Sequence, residues 1–506
     1  MNADKRAAII QNIENLLSYA EKKGLTEPGD RIFLRNSLYD LLSVTPEGEI
    51  PLPDETGEET PWGLSAILDA CTDTAARRDL LDARIMGILT PNPSEVNRRF
   101  WKYYGISPRK ATDYFYALSQ NNHYIQTDRL AKNLYWLTRT EFGDLEITVN
   151  LSKPEKDPRD IAAAKALPQT GYPKCLLCAD NIGYAGDLNH PARQNLRAVP
   201  MELDGELWYF QYSPYIYYNE HCIVLSHVHR PMKTDEAAFR RLFEFLSILP
   251  HYTVGSNADL PIVGGSILSH DHYQGGRHEF PLERAGVYAA YTHKSFPGIK
   301  VSAVKWPMSV IRLNNGEPDD LIKLSMEILN AWRDYSDEQA QVLAYTRTAE
   351  SKTPHNAITP IVRINRGKSW EIDLVLRNNR TTQEHPLGLF HPHANLHHIK
   401  KENIGLIEVM GLAILPGRLK DDMDAMEAYL TGRRIAQEIP PDHLPWLNEI
   451  KARRTEGTDA AEYIRHEIGG IFMQVLLDAG VFKPTPDGNR QFAQFMKHCG
   501  FAAVYT

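Results

Sequence analysis

Gly264-Gly265-Ser266-Ile267-Leu268-Ser269-His270-Asp271-His272-Tyr273-Gln274-Gly275-Gly276 carries two histidines at i and i+2, a glutamine at i+4 and a glycine pair at each end. Read as extended chain, successive side chains alternate sides, so His270, His272 and Gln274 share one face about 7 Å apart. Glycine lets backbone N–H groups come close to a ligand, which suits a phosphate. An imidazole, an uncharged amide and free N–H groups together point to phosphoryl or nucleotidyl transfer through histidine.

The neighbouring sequence places this strand in an α+β fold. Leu207 to Leu225 is rich in aromatic and β-branched residues and reads as two strands, broken near Ser213-Pro214 and Asn219. Thr234 is positioned to cap a helix over 235–249, with Phe239, Leu242, Phe243 and Leu246 on its apolar face. Strand, strand, helix, strand is the resulting order. A second region, about 300–420, has a similar outline. Val362 to Asn365 and Trp370 to Leu376 predict a hairpin, after which His391-Pro392-His393-Ala394-Asn395 repeats the His-x-His-x-amide pattern.

Two tandem units, 136–299 and 300–420, follow from this, with a helical N-terminal extension (1–135) and a helical C-terminal region (421–506). In the extension, 7–22, 30–43 and 64–87 show apolar residues at three- and four-residue spacing. The segment 145–151 predicts a strand, followed by the polar, partly basic stretch 152–160.

Size and composition bound the function. The chain has 506 residues, 42% hydrophobic and 24% charged, which is enough for several domains and a sizeable core. Its 56 Lys plus Arg against 64 Asp plus Glu give a net charge of −8, which argues against bulk nucleic-acid binding but allows a local basic pocket. No run of 18 apolar residues predicts a membrane span, the N-terminus lacks the apolar core of a signal peptide, and five cysteines make no disulfide framework. A cytoplasmic protein with reduced thiols is expected.

His272 is the expected nucleophile. A neutral imidazole attacks an activated phosphorus and forms a phosphoramidate, and its other ring nitrogen should be held by a hydrogen bond, most simply to a backbone carbonyl. Gln274 is a poor general base but an adequate hydrogen-bond partner for non-bridging oxygens, which favours an intermediate that waits for a second substrate over hydrolysis. The plainer alternative is a pair of strand histidines satisfied in the core, and the flanking glycines and Gln274 weigh against it. N–H groups near Gly264, Gly265 and Ser266 would stabilise phosphate charge, with Ser269, Lys153 and Arg277 as further substrate contacts.

Cys175-Leu176-Leu177-Cys178 has the spacing of a metal knuckle, and His229, His221 and His270 are candidates to complete it. A redox pair is the rival, although Asp180-Asn181-Ile182-Gly183 reads as a loop where a thioredoxin-like motif would start a helix. A second histidine group, His391, His393, His397 and His398 with His355 upstream, offers ligands for another divalent metal or the wall of a substrate pocket. His391-Pro392-His393 also competes for the nucleophile role, but without the glycine-rich approach. Lys156, Arg159, Arg363 and Arg366 read by default as solvated cations.

His270-Asp271-His272-Tyr273-Gln274-Gly275-Gly276 resembles the active-site strand of the transferase branch of the histidine-triad superfamily. Over most of its length the chain resembles the class II galactose-1-phosphate uridylyltransferases, also called UDP-glucose–hexose-1-phosphate uridylyltransferases. The supporting stretches are 145–165, 219–232, 261–276, 355–363 and 387–419, the last containing the long run Ile404 to Leu419. The resemblance implies a ping-pong reaction in galactose metabolism, in which UMP passes from UDP-glucose to His272 and then to galactose 1-phosphate. It implies zinc on Cys175, Cys178, His229 and His270, and a homodimer. His391 and His393 match a pair that holds a second structural metal in the class I enzymes, but no glutamate to complete that site can be identified. Asp271 stands where class I has proline, and the helical extensions have no class I counterparts. The rival classes are a histidine-triad nucleotide hydrolase, against which Gln274 speaks, and a non-catalytic nucleotide- or metal-binding relative.

Overall fold

The computed structural model describes residues 2–54, 61–151, 171–265, 267–348, 350–455 and 457–504. Lys153, Lys156, Arg159 and Ser266 lie outside the described residues. Among those described, the helix expected over 7–22 spans Ala3–Lys22 and that over 30–43 spans Arg31–Leu42. The expected helix over 64–87 is two, Leu64–Cys71 and Ala75–Leu89, because Thr74 turns extended and caps the second by accepting the Arg77 N–H. The buried stripe Ile9, Ile13, Leu16, Leu17 and Ala20 shows why the first helix forms against the rest.

The strands are β1 (Leu134–Thr140), β2 (Gly143–Asn150), β3 (Val199–Leu203), β4 (Glu206–Tyr212), β5 (Cys222–Ser226), β6 (Thr253–Gly255), β7 (His272–Gly276) and β8 (Val287–His293). They continue as β9 (Lys300–Val304), β10 (Val310–Asn314), β11 (Tyr345–Arg347), β12 (Lys352–Pro354), β13 (Asn356–Ile364), β14 (Trp370–Asn378), β15 (Leu412–Pro416) and β16 (Phe501–Val504). An eleven-stranded antiparallel sheet runs β16-β8-β9-β10-β14-β13-β6-β7-β5-β4-β3. It contains the same topology twice. A three-strand meander (β3–β5 or β8–β10) leads to a helix, Glu236–Ile248 or Pro318–Asp334, and then to two strands inserted beside the meander (β6, β7 or β13, β14). The halves join where β6 pairs with β13, Val254 opposite Val362. The fold is therefore α+β with two tandem units, as the strand-strand-helix-strand order predicts.

Several details differ from expectation. The helix over 235–249 is capped by Asp235, which accepts the Ala238 N–H at 3.1 Å, and not by Thr234. The place of β7 in the second unit is taken by β14, which carries no histidine, so His391-Pro392-His393 is not the structural repeat of the first motif. It lies in the connection beyond β14, entering the single turn Ala394–Leu396. The C-terminal region is not wholly helical, since β16 returns to pair with β8. β2 pairs in parallel with β15, so residues 412–416 close a small sheet with the β1–β2 hairpin. Among the described residues, no helix is long and apolar enough to cross a membrane.

Candidate active site

β7 is anchored from behind and open in front. Tyr273 stacks on Trp208 at 4.9 Å, and Arg241 and Arg230 stand 5.3 and 5.8 Å from the same indole. Asp271, buried, accepts from Arg230 Nε at 3.2 Å, and its backbone N–H donates to the Arg230 carbonyl at 2.7 Å. Alternation then places His272 and Gln274 on the opposite face, where both line a cleft of about 790 Å³. This volume suits a nucleotide sugar.

His270 does not share that face. The strand begins at His272, and His270 sits in a bend before it, so its ring turns to a different cluster. Its Nδ1 lies 3.2 Å from Cys175 Sγ and 3.6 Å from Cys178 Sγ, while its Nε2–H donates to the Ser226 carbonyl at 2.8 Å. His229 Nδ1 is 3.2 Å from Cys178 Sγ. The ligand atoms of Cys175, Cys178, His229 and His270 all lie within 4.8 Å of one another. A tetrahedral ion with bonds of about 2.0–2.3 Å needs ligand atoms about 3.3–3.8 Å apart, so two sulfurs and two imidazole nitrogens fit a metal. The Ser226 carbonyl fixes the His270 tautomer that leaves Nδ1 free to ligate. Burial and the neighbouring Cys175 sulfur push the Cys178 thiol up to about 11. Burial also opposes ionisation of Cys175, yet the His270 ring, the Leu177 N–H and the Cys178 thiol together outweigh it and lower its pKa, so this thiol is the readier ligand. Among the proposed completing residues His221 is not in the cluster. The knuckle is followed by one turn, Ala179–Asn181, not a long helix.

His272 is 5% exposed, and its Nδ1–H donates to the His270 carbonyl at 2.8 Å. Burial lowers its pKa to about 4, so the ring is neutral, and its Nε2 makes no hydrogen bond to the described residues. Gln274 Oε1 accepts from His221 Nε2 at 3.1 Å, which leaves the amide N–H donors for the cleft. Gly264 and Gly265 line the same cleft. Their lack of a side chain serves protein packing: a Cβ on Gly264 would stand 2.4 Å from the Ala258 carbonyl oxygen, and one on Gly265 would stand 2.6 Å from Asn257 Nδ2. The other wall comes from Lys400, Gly405 and Glu408. Asn257 spans the two walls by accepting the Leu406 N–H on Oδ1 at 2.8 Å.

Residues 42–231 match the galactose-1-phosphate uridyl transferase N-terminal domain and residues 245–446 the C-terminal domain of the same enzymes. The chain belongs to the galactose-1-phosphate uridylyltransferase family. It is 53% identical over 509 residues to a galactose-1-phosphate uridylyltransferase of Caldanaerobacter subterraneus subsp. tengcongensis, covering 97% of this chain and 98% of the relative. Identity is 48% to the enzyme of Bacillus subtilis, with 98% and 99% covered, and 48% to that of Fusobacterium nucleatum subsp. nucleatum, with 96% and 98% covered.

Not every expected contact reaches the cleft of this family member. Ser269 is exposed and does not line it. Arg277 falls on the other side of β7 and is held by Glu220 and, at 3.1 Å, by Asp113. Arg363, expected as a solvated cation, is instead buried 2.8 Å from Asp373, while Arg366 is exposed and pairs with Glu279 at the surface. His391 and His393 do not converge on one ion. His391 Nδ1 faces the Pro392 carbonyl, whereas His393 stacks on His385 at 4.2 Å with Asp478 3.5 Å from its Nδ1. His355 is engaged by Thr346 and Asn379. The sequence reading assigned no role to Asn257, Lys400 or Glu408. Lys400 and Glu408 fall in the run 387–419 that carries the family resemblance, whereas Asn257 lies outside every such run and has no local sequence signal.

Proposed function

We propose that the cleft transfers the uridylyl group of UDP-glucose to galactose 1-phosphate in two displacements, with His272 carrying the group between them. The supporting observation is the neutral His272 ring, pinned through Nδ1–H to the His270 carbonyl with Nε2 free toward the cleft. In the first step Nε2 attacks the α-phosphorus. A nitrogen–phosphorus bond forms, the bond from phosphorus to the bridging oxygen breaks, and glucose 1-phosphate leaves with that electron pair. The ring keeps its Nδ1 proton, and its new positive charge is stabilised by the His270 carbonyl. In the second step a phosphate oxygen of galactose 1-phosphate attacks the same phosphorus, the nitrogen–phosphorus bond breaks and UDP-galactose departs.

Neither displacement requires a proton to move. That is why an amide suits position 274. The N–H donors of Gln274 and the backbone near Gly264 and Gly265 would offset charge on the non-bridging oxygens, while the absence of a base there disfavours attack by water. We infer zinc for Cys175, Cys178, His229 and His270, where a bound ion would anchor the loop carrying the knuckle and the start of β7. The resemblance also supports a homodimer, which analytical ultracentrifugation would check.

The test is mass spectrometry of the intact protein after exposure to UDP-glucose without acceptor, with peptide mapping. A UMP adduct on His272 is expected, discharged by galactose 1-phosphate. An adduct on His393, or none, would overturn the assignment.

A further inference from the structure

A nucleotide sugar and a sugar phosphate both bring anionic phosphates, and the cleft offers few cations to meet them. Among the described residues lining it, these are Lys400 and Arg193. Lys400 is already taken: its Nζ stands 3.0 Å from Glu408, 3.7 Å from Glu402 and 3.2 Å from the Ile414 carbonyl. Arg193 differs. Its Nη1 donates to the Ala192 carbonyl at 3.1 Å and its guanidinium lies 5.7 Å from the centre of the Tyr124 ring. No carboxylate among the described residues pairs with it, so most of its five N–H donors remain for a ligand.

Its position is fixed from two sides. The Arg193 N–H donates to the Tyr184 carbonyl at 2.8 Å, and the Gly183 N–H donates to the Arg193 carbonyl at 3.0 Å. This loop hangs on the cysteine knuckle. Asn181 Nδ2 donates at 2.8 Å to the carbonyls of both Cys175 and Cys178, and His190 Nε2–H donates to Asn181 Oδ1 at 2.6 Å. From the other side, Tyr124 belongs to the helical N-terminal region. A second cavity of about 380 Å³ shares Tyr124, Leu176, Pro191, Arg193, Pro214 and Tyr215 with the catalytic cleft, so the guanidinium stands where the two spaces meet.

We propose that Arg193 binds the phosphate of the sugar 1-phosphate, the one that leaves in the first displacement and attacks in the second, and that Tyr124 is a positioning residue for it. The inference rests on the uridylyl-transfer reading above. A planar guanidinium can grip two phosphate oxygens at once, which a lysine ammonium cannot. It also gives the N-terminal helices a task in the site, which is to present the ring that supports this arginine.

The test compares Arg193→Gln, Arg193→Lys and Tyr124→Leu with the unaltered enzyme, measuring KM for galactose 1-phosphate, kcat and the UMP adduct formed at saturating UDP-glucose. Arg193→Gln should still acquire the adduct, with KM for galactose 1-phosphate raised about ten- to a hundredfold, as for loss of a charge-assisted hydrogen-bond pair. Arg193→Lys should fall between, and Tyr124→Leu should raise KM about threefold to tenfold through loss of the cation–π support. Should Arg193→Gln fail to fold, Arg193→Lys at unchanged Tm carries the test. A KM within twofold of the unaltered enzyme in the folded variant, or a loss of kcat with KM unmoved, overturns the proposal. An adduct mapping away from His272 defeats the transfer reading instead, so the two fail separately.

Discussion

The Nε2–H of His221 donates to Gln274 Oε1 at 3.1 Å across the β5–β7 pair, and it fixes which end of that amide faces the cleft. The imidazole is buried and burial lowers its pKa to about 4, so it orients Gln274 as a neutral donor and contributes no charge. His221→Phe keeps the ring volume and removes the donor. Its kcat for uridylyl transfer should fall about tenfold, the lower range for loss of a supporting partner. Gln274→Ala, which removes the donor itself, should lose about a hundredfold. Steady-state kinetics with both substrates would check this, and an unimpaired His221→Phe enzyme would show that Gln274 needs no such support.

Gly265 and Asn257 make a second testable contact. A methyl group at 265 would sit 2.6 Å from Asn257 Nδ2, while Asn257 Oδ1 holds the Leu406 N–H of the opposite wall. Gly265→Ala should therefore cost about 1–3 kcal/mol in chemical denaturation, typical of overpacking, and should lower kcat/KM as the walls separate. Asn257→Ala removes the obstacle. The two substitutions together should cost less than the sum of each alone, the signature of residues in contact. Strict additivity would mean that Asn257 does not link the walls.

How far the sequence could be read depended on the range of the interaction. Local patterns told most. The aromatic and β-branched runs marked β4, β5, β13 and β14, and the His272–Gln274 alternation placed those two side chains on one face. His270 was misplaced because alternation holds only inside a strand, and β7 starts two residues later. Arg277 lies one residue past the end of β7, where its ion pairs with Glu220 and Asp113 hold it away from the cleft. Pairings between distant segments left no local trace. Nothing near 255 announces that β6 meets β13, and nothing near 501 announces the return of β16 to β8. The glycine pair has a packing cause that local sequence does not show, since a Cβ at Gly265 would stand 2.6 Å from Asn257 Nδ2.

Removing metal should act on the loop before it acts on the chemistry. Cys175, Cys178, His229 and His270 join the knuckle to the segment entering β7, and Asn181 extends that anchor toward Arg193. Chelator-treated protein should lose thermal stability and affinity for galactose 1-phosphate, and zinc should restore both. Cys178→Ser should reproduce the effect without chelator. Elemental analysis alongside thermal denaturation would check it, and a metal-depleted protein with unchanged Tm would remove any structural role for the cluster.

His123 predicts an alkaline limb in stability. Burial works against its charge, but Asp82, 2.8 Å from Nδ1, and Asp128, 3.4 Å from Nε2, outweigh that and raise its pKa to about 9. With the folded value above the unfolded value of about 6.5, its contribution is complete below pH 6.5 and disappears as pH rises through 9. His221, His251 and His398 act in the opposite sense: burial lowers each to about 4, so the stability linked to them is present above pH 6.5 and is lost as pH falls toward 4. His123→Asn tolerates the positive φ of 58° at this position but carries no proton to lose. Its Tm should lie well below that of the unaltered protein at pH 6, and the gap should close by about pH 9.5 as the histidine deprotonates. A gap that stayed constant across that range would mean that His123 acts through packing and not through its charge.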